Sequence, residues 1–334
     1  MTGISRPLAV SLGDPAGIGP EVVAKCWDHR DRFGLPPFVA IGDPRSLSAV
    51  WDGPIATIDD PAEADSAFDL GLPILPTVAL ESDLPGHPTI AGAHCSLDAL
   101  ELAVGLARSG SSPAVVTGPV SKQQLYRIGF THPGQTEFVA ERCGISPCNV
   151  AMMMAGPSLR TVPVTTHIPF SQVATTLSVA LIEARGRAAI RGLQRNFGID
   201  DPRLAIASLN PHAGEGGSLG REEIDLIIPA IETLRAEGWR VTGPHPADTL
   251  FHAAARAHYD AALCMYHDQA LIPLKALHFE DGVNITLGLP IIRTAPDHGT
   301  AFDIAGEDRA DPRAMAAAIR LAAACVHHRA RVIA

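Results

Sequence analysis

Three of the fourteen histidines follow short apolar runs. His167 ends the run in Val162-Pro163-Val164-Thr165-Thr166-His167-Ile168-Pro169. His212 lies in Ser208-Leu209-Asn210-Pro211-His212-Ala213-Gly214-Glu215, and His267 in Met265-Tyr266-His267-Asp268-Gln269. Each sits just past what reads as the C-terminal end of a strand, where open parallel sheets place their ligands. One such histidine is ordinarily a hydrogen-bonded structural residue. Three imidazoles converging there would make an open-coordination site for a divalent metal, with positions left for substrate. Asp268, beside His267, and Asp248, in Gly243-Pro244-His245-Pro246-Ala247-Asp248, could orient such ligands or serve as caps and turns.

Cationic and amide donors come next. The chain has only three lysines, Lys25, Lys122 and Lys275, against 23 arginines. Lys275 follows the apolar Leu271-Ile272-Pro273-Leu274, and a partly desolvated lysine can move a proton or pair with an anion. Asn284 and Arg293 flank the turn Gly288-Leu289-Pro290; with Lys275 they suit a phosphate or carboxylate, although an arginine also has an ordinary solvated role. The loop-like stretch from Pro296 to Gly306 is rich in small residues and could wrap an adenine. No GxGxxG follows a strand and no Gly-Lys dipeptide occurs, so a P-loop is excluded. The loop from Gly13 to Gly19 could aim backbone N–H groups at an anion. A tight turn is its plainer reading, and Asp14 would repel a negative charge.

The elements that must position these residues alternate along the chain. Strands are expected at 8–12, 38–42, 114–117, 204–209 and 261–265, and helices at 21–28, 96–108, 136–143, 178–197, 221–237 and 312–328. Strand–helix alternation argues for a parallel α/β architecture. A length of 334 residues suits two domains of roughly 150. No low-complexity linker separates them, which implies domains that exchange segments around a cleft.

Composition narrows the function class. Hydrophobic residues make up 46% and charged residues 19%, enough for a large core and incompatible with disorder. Aromatics are only 5%, which favours close helix-on-sheet packing. A net charge of -10 and a pI near 5.7 oppose nucleic-acid binding. The six cysteines form no CxxC pair and read as free thiols of a reducing compartment. No signal-peptide pattern opens the chain and no window of 18 apolar residues is unbroken, so neither a membrane nor a nucleic acid is expected as partner, and a cytoplasmic location is.

Five strings then carry a likeness. Ser11-Leu12-Gly13-Asp14-Pro15-Ala16-Gly17-Ile18-Gly19-Pro20-Glu21, Thr117-Gly118-Pro119-Val120-Ser121-Lys122, Leu209-Asn210-Pro211-His212-Ala213-Gly214-Glu215, Tyr266-His267-Asp268-Gln269 and the run from Pro296 to Gly306 resemble the 4-hydroxythreonine-4-phosphate dehydrogenase family of pyridoxal phosphate biosynthesis. The last run also resembles the adenosine-binding loop of isocitrate and isopropylmalate dehydrogenases.

The resemblance implies two α/β/α domains of the isocitrate/isopropylmalate dehydrogenase-like type with a central cleft. The first would take about 1–125 and 285–334, the second about 126–284 with the metal ligands and a homodimer interface. It implies shared active sites, with His167 and His212 of one subunit and His267 of the other holding one divalent metal (Zn, Mg or Co). Gln135, Thr136, Lys275, Asn284 and Arg293 fall on substrate-binding positions. Lys275, Asp248 and Asp268 fall on catalytic positions, and His298, Gly299, Thr300, Ala301 and Asp303 on the loop for NAD or NADP. The implied reaction is oxidation of a secondary alcohol in a small phosphorylated hydroxy-amino acid, followed by loss of CO2.

One position departs. The family usually has His before the Thr of its Gly-His-Thr-Glu string, whereas this chain has Gly134-Gln135-Thr136-Glu137. Gln donates a hydrogen bond but cannot become cationic. At the start of a helix it is expected to face the anionic part of the substrate, and threonate or erythronate 4-phosphate stays open as an alternative substrate. A three-histidine metal hydrolase is the rival of another class, for which the 296–306 loop would be superfluous.

Overall fold

The computed structural model describes residues 6–77 and 85–333. The first five residues, read above for a signal segment, lie outside that range. The chain folds as two compact units, one from the stretch up to Cys143 together with Pro290–Ala330, the other from Gly144–Leu289 together with the stretch from Arg331.

The first unit carries β1 (Leu8–Ser11), β2 (Phe38–Gly42), β3 (Ile55–Thr57), β4 (Leu72–Pro76), β5 (Val115–Thr117) and β12 (Arg293–Pro296). Their order is β3-β4-β2-β1-β5-β12, and every pair is parallel. β1 and β2 are wholly buried, the pattern of strands covered on both faces. The helix Ile90–Ser109 packs on both. By length and composition that helix could cross a membrane. Here it buries Ala93, Cys95, Ala99, Leu100, Ala103 and Val104, while Glu101 pairs with Arg142.

The second unit carries β6 (Ala151–Ala155), β7 (Arg160–Pro163), β8 (Arg203–Ala207), β9 (Arg240–His245), β10 (Ala261–Cys264) and β11 (Val283–Leu287), in the order β11-β6-β7-β10-β8-β9. The strands from β7 to β9 are parallel. The parallel pattern expected from strand–helix alternation is interrupted at β6, which runs antiparallel to both β7 and β11. The reason is loop length. Four residues join β6 to β7, closed by Gly156 N–H donating to Leu159 O at 2.9 Å. A connection that short permits only a hairpin, because a parallel crossover needs a dozen residues or more.

The helix expected over 221–237 also differs. It opens as a π-turn over Glu223–Ile227 and becomes α-helical at Ile228–Ala236. Pro229 has no N–H for the carbonyl four residues back and its ring crowds it, so the turn widens.

Candidate active site

Within the second unit, β7, β10 and β8 are neighbours and parallel, so their C-terminal ends lie side by side. His167, His267 and His212 follow those ends by four, three and five residues. Two side chains stitch the ends together. Thr165 Oγ1 donates to Met265 O at 2.8 Å, joining the loops after β7 and β10. The buried Gln269 accepts from Met265 N–H at 2.7 Å and donates to Ser208 O at 2.7 Å, joining β10 to β8.

The His167 and His267 rings lie 5.8 Å apart between centroids. Asp268 Oδ1 sits 2.7 Å from His267 Nδ1, so the carboxylate can fix the ring and leave Nε2 for a ligand. Thr166, Phe170, Tyr266 and Asp268 join the two histidines around a cleft of about 290 Å³. Burial, then the nearby Asp268 and Cys264, raise the Tyr266 phenol above its ordinary pKa, which keeps it a neutral donor. Among the described residues of one chain, no three His, Cys, Asp or Glu side chains form a metal-holding group. Convergence of all three histidines is therefore absent within a single subunit.

Backbone strain marks both outer histidines. His167 has φ +41° and His212 φ +52°, in the left-handed region that non-glycine residues avoid. His212 opens five consecutive left-handed residues, His212 to Gly216. Left-handed helical geometry costs roughly 1–2 kcal/mol for each non-glycine residue, so something must hold it. The buried Glu223 does so at the entry: Oε1 accepts from Leu209 N–H and Asn210 N–H, both at 2.8 Å, and Oε2 from Asn210 Nδ2 at 3.0 Å. Glu222 accepts from the same Nδ2 at 2.7 Å.

The other second-unit candidates are not among the residues that line this cleft. Asp248 is exposed on the short helix Ala247–Leu250, with no hydrogen bond or ion pair to its carboxylate among the described residues. Lys275 is half-buried in the helix His267–Leu277, eight positions after His267 and so about 12 Å along the axis. Asn284, on β11, shares a row across the sheet with Met154, Thr161 and Ala262, at the strand ends away from the histidines. Its Oδ1 is buried with no hydrogen-bond partner among the described residues, an acceptor open to a ligand donor.

In the first unit, Arg293 begins β12 and is only 4% exposed. It donates to Thr117 Oγ1 from Nε at 3.1 Å and Nη2 at 2.7 Å, and from Nη2 to Gln135 Oε1 at 2.8 Å. Burial pulls the guanidinium down to about 10, against the charge of Glu137, and it stays cationic at neutral pH. Gln135 and Thr136 open the helix Gln135–Arg142. Gln135 Nε2 donates to Gly118 O at 3.1 Å, so both ends of its amide have protein partners.

The 296–311 loop docks on the turn after β1. Thr300 O accepts from Ile18 N–H at 2.9 Å, and a Cβ at Gly17 would lie 2.9 Å from that oxygen, so only glycine allows the approach. Buried Glu21 accepts from Gly306 N–H and Ala310 N–H, and pairs with Lys25, which also pairs with Asp308. The amides of Ala16, Gly17 and Ile18 are taken by Asp14 Oδ1, Asp14 O and Thr300 O. The anion cradle considered for this turn is therefore closed. His298, Gly299, Thr300, Ala301 and Asp303 lie on the docked loop, with Ala301 left-handed at φ +42°.

Comparison with known proteins follows from this geometry. The sequence profile of the family described as "Pyridoxal phosphate biosynthetic protein PdxA" matches residues 35–322. The chain belongs to the PdxA family. A curated relative, 4-hydroxythreonine-4-phosphate dehydrogenase from Zymomonas mobilis, is 55% identical over 97% of each chain. The crystal structure of 4-hydroxythreonine-4-phosphate dehydrogenase from Klebsiella pneumoniae matches with TM-score 0.86 at 36% identity, covering 96% of this chain and 99% of that one. A terephthalate 1,2-cis-dihydrodiol dehydrogenase from Burkholderia xenovorans matches with TM-score 0.66 at 30% identity, covering 96% and 98%. The α/β fold expected from the sequence is thus the fold of the PdxA family, on which dehydrogenases of both names are built.

Sequence reading missed Gln269, Glu223, Glu21 and Thr117. Gln269 stands in a string it had quoted, and its spacing of two from His267 was the available signal. Glu223 and Glu21 fall in the helices expected at 221–237 and 21–28, and only the fold shows them buried.

Proposed function

We propose that this chain oxidises the secondary hydroxyl of 4-phosphohydroxy-L-threonine to 2-amino-3-oxo-4-phosphooxybutanoate, which decarboxylates to 3-amino-2-oxopropyl phosphate. The observation that carries the reading is the sheet order β7-β10-β8, with a histidine loop at each of three adjacent strand ends. Three imidazoles, one of them held at Nδ1 by the Asp268 carboxylate, are a donor set suited to a divalent Zn, Mg or Co ion. Such an ion, held by His167, His212 and His267, would lower the pKa of the hydroxyl and draw electrons from the ketone. NAD or NADP, seated on the loop of His298, Gly299, Thr300, Ala301 and Asp303, would accept the hydride.

The chain's own residues do the rest. Asp268 holds the His267 ring by Nδ1. Asp248 keeps a carboxylate beside the site, and Lys275 moves the proton that decarboxylation requires. Arg293, Thr136, Asn284 and Lys275 take the anionic groups of the substrate. A homodimer completes each site, with His167 and His212 coming from one copy and His267 from the other. Ile272, Leu277 and Phe279, large apolar side chains exposed on and just after the helix that begins at His267, favour such a partner. The location is the bacterial cytoplasm, without membrane or nucleic acid.

The test is absorbance of reduced nicotinamide with 4-phosphohydroxy-L-threonine and with threonate and erythronate 4-phosphates. Chelation should abolish the signal and Zn, Co or Mg should restore it. Full activity after chelation removes the metal from the reading, and no reduction of either nicotinamide removes the activity.

A further inference from the structure

We infer that Gln135 is a positioning residue, acting on the substrate only through Arg293, whose guanidinium it orients toward the substrate's anionic group. The inference rests on the function proposed above and differs from the expectation that Gln135 faces the substrate itself.

The geometry is reciprocal. Gln135 Oε1 accepts from Arg293 Nη2 at 2.8 Å while Nε2 donates to Gly118 O at 3.1 Å. That polarity fixes which way the amide points: reversed, it would set donor against guanidinium and oxygen against carbonyl. Gly118 directly follows Thr117, whose Oγ1 accepts two further bonds from Arg293. Thr117 and Gln135 thus grip the guanidinium from the end of β5 and from the start of the helix Gln135–Arg142. Arg293 is almost fully buried, so its direction is set by protein partners, Thr117 and Gln135 among them, and not by solvent.

The residue type matters here. A neutral imidazole at 135 could offer one donor and one acceptor, as the amide does. An imidazolium offers two donors and would face the guanidinium as a like charge. Nearby charges are Glu137 on the same helix and Lys122, whose amine lies beside Gly134, while β5 contributes only the neutral Thr117. Gln keeps the Arg293 grip unchanged across the range in which histidine would titrate.

A double-mutant cycle separates the alternatives. Gln135→Met should raise KM for 4-phosphohydroxy-L-threonine about tenfold, one lost charge-assisted hydrogen bond, with a much smaller change in kcat. In an Arg293→Met background the same substitution should leave KM nearly unchanged. Gln135→His should match the parent at pH 8 and lose affinity at pH 6. Independent, multiplicative effects on KM, or a KM for Gln135→His that tightens at pH 6, would overturn the inference by showing a direct substrate contact. The same cycle read in Tm needs no substrate: coupled losses support the pair and additive losses overturn it. A parent enzyme that reduces no nicotinamide with this substrate overturns the proposed function instead, and the Tm cycle still decides the pair.

Discussion

Replacing Gln269 with Met removes both hydrogen bonds that tie the loop after β10 to the end of β8. Met fills the space but leaves a buried N–H and a buried carbonyl unpaired, at about 1–3 kcal/mol each. The expected outcome is a lower Tm together with weaker divalent-metal binding by isothermal titration, because the loops that carry His267 and His212 each lose a support. Unchanged metal affinity in a folded Gln269→Met protein would show that the strand ends keep their register without it. Glu223 makes the parallel case for His212. Glu223→Gln keeps one carbonyl acceptor for the two amides of Leu209 and Asn210 but turns a donor toward Asn210 Nδ2. The left-handed turn should then relax, and metal affinity should fall more than Tm does. Equal losses from Glu223→Gln and from a remote core substitution of the same Tm cost would count against a role in placing His212.

At the scale of elements, the starts of β8 and β10 are closed by one ion pair. Asp260 accepts from Arg203 N–H at 2.8 Å, from Nε at 3.2 Å and from Nη2 at 3.0 Å, and Asp260 N–H donates to Arg203 O. Burial pushes the Asp260 carboxyl up, but the Arg203 bonds outweigh it and the net pKa lies below the ordinary value. A depressed carboxyl stabilises the fold above its unfolded pKa, about 3.9, and that contribution disappears as pH falls through the lower folded value. Asp260→Asn should therefore cost on the order of 1 kcal/mol at pH 7, discounted for a pair about a third exposed, and progressively less below about pH 4. A Tm difference that stays constant from pH 7 to pH 3 would assign the effect to packing. Five of the twelve strands and most of the longer helices were legible from apolar runs and turn residues, as were the positions of the three histidine loops just past strand ends. The antiparallel β6 was not, because Met152 to Met154 read alike in either direction and the short turn at Gly156 was not weighed. Nor was the π-turn at Glu223, where helical periodicity hid the effect of Pro229. The docking of 296–311 on the β1 turn was also out of reach, since it depends on pairs such as Glu21 and Ala310 that sequence spacing cannot relate.

For the whole molecule, a shared site makes a mixing experiment decisive. His167→Ala and His267→Ala chains, each inactive, should regain part of the activity when subunits exchange, because one of the two sites in the heterodimer is then undamaged. Zero recovery after demonstrated exchange would place all three histidines' work within one subunit. Phe279→Glu should shift the protein toward a monomer by light scattering and lower activity with it; a dimer that persists would move the interface elsewhere. The discontinuity of the first unit has its own consequence for synthesis on the ribosome. β5 is complete once residue 117 has emerged, but its second neighbour, β12, arrives only with residues 293–296. Until then Val115, Val116 and Thr117 present an unpaired, apolar sheet edge, the kind of surface that recruits other strands. The second unit, whose six strands all lie within Gly144–Leu289, can fold during that interval, whereas the Thr117–Arg293 contact, closing 176 positions of chain, must be among the last to form. A nascent chain stalled at Leu289 would hold finished histidine loops before the Thr117–Arg293 contact can form, so under the proposed function release from the ribosome, and not the folding of those loops, sets the moment at which the enzyme can first grip its substrate.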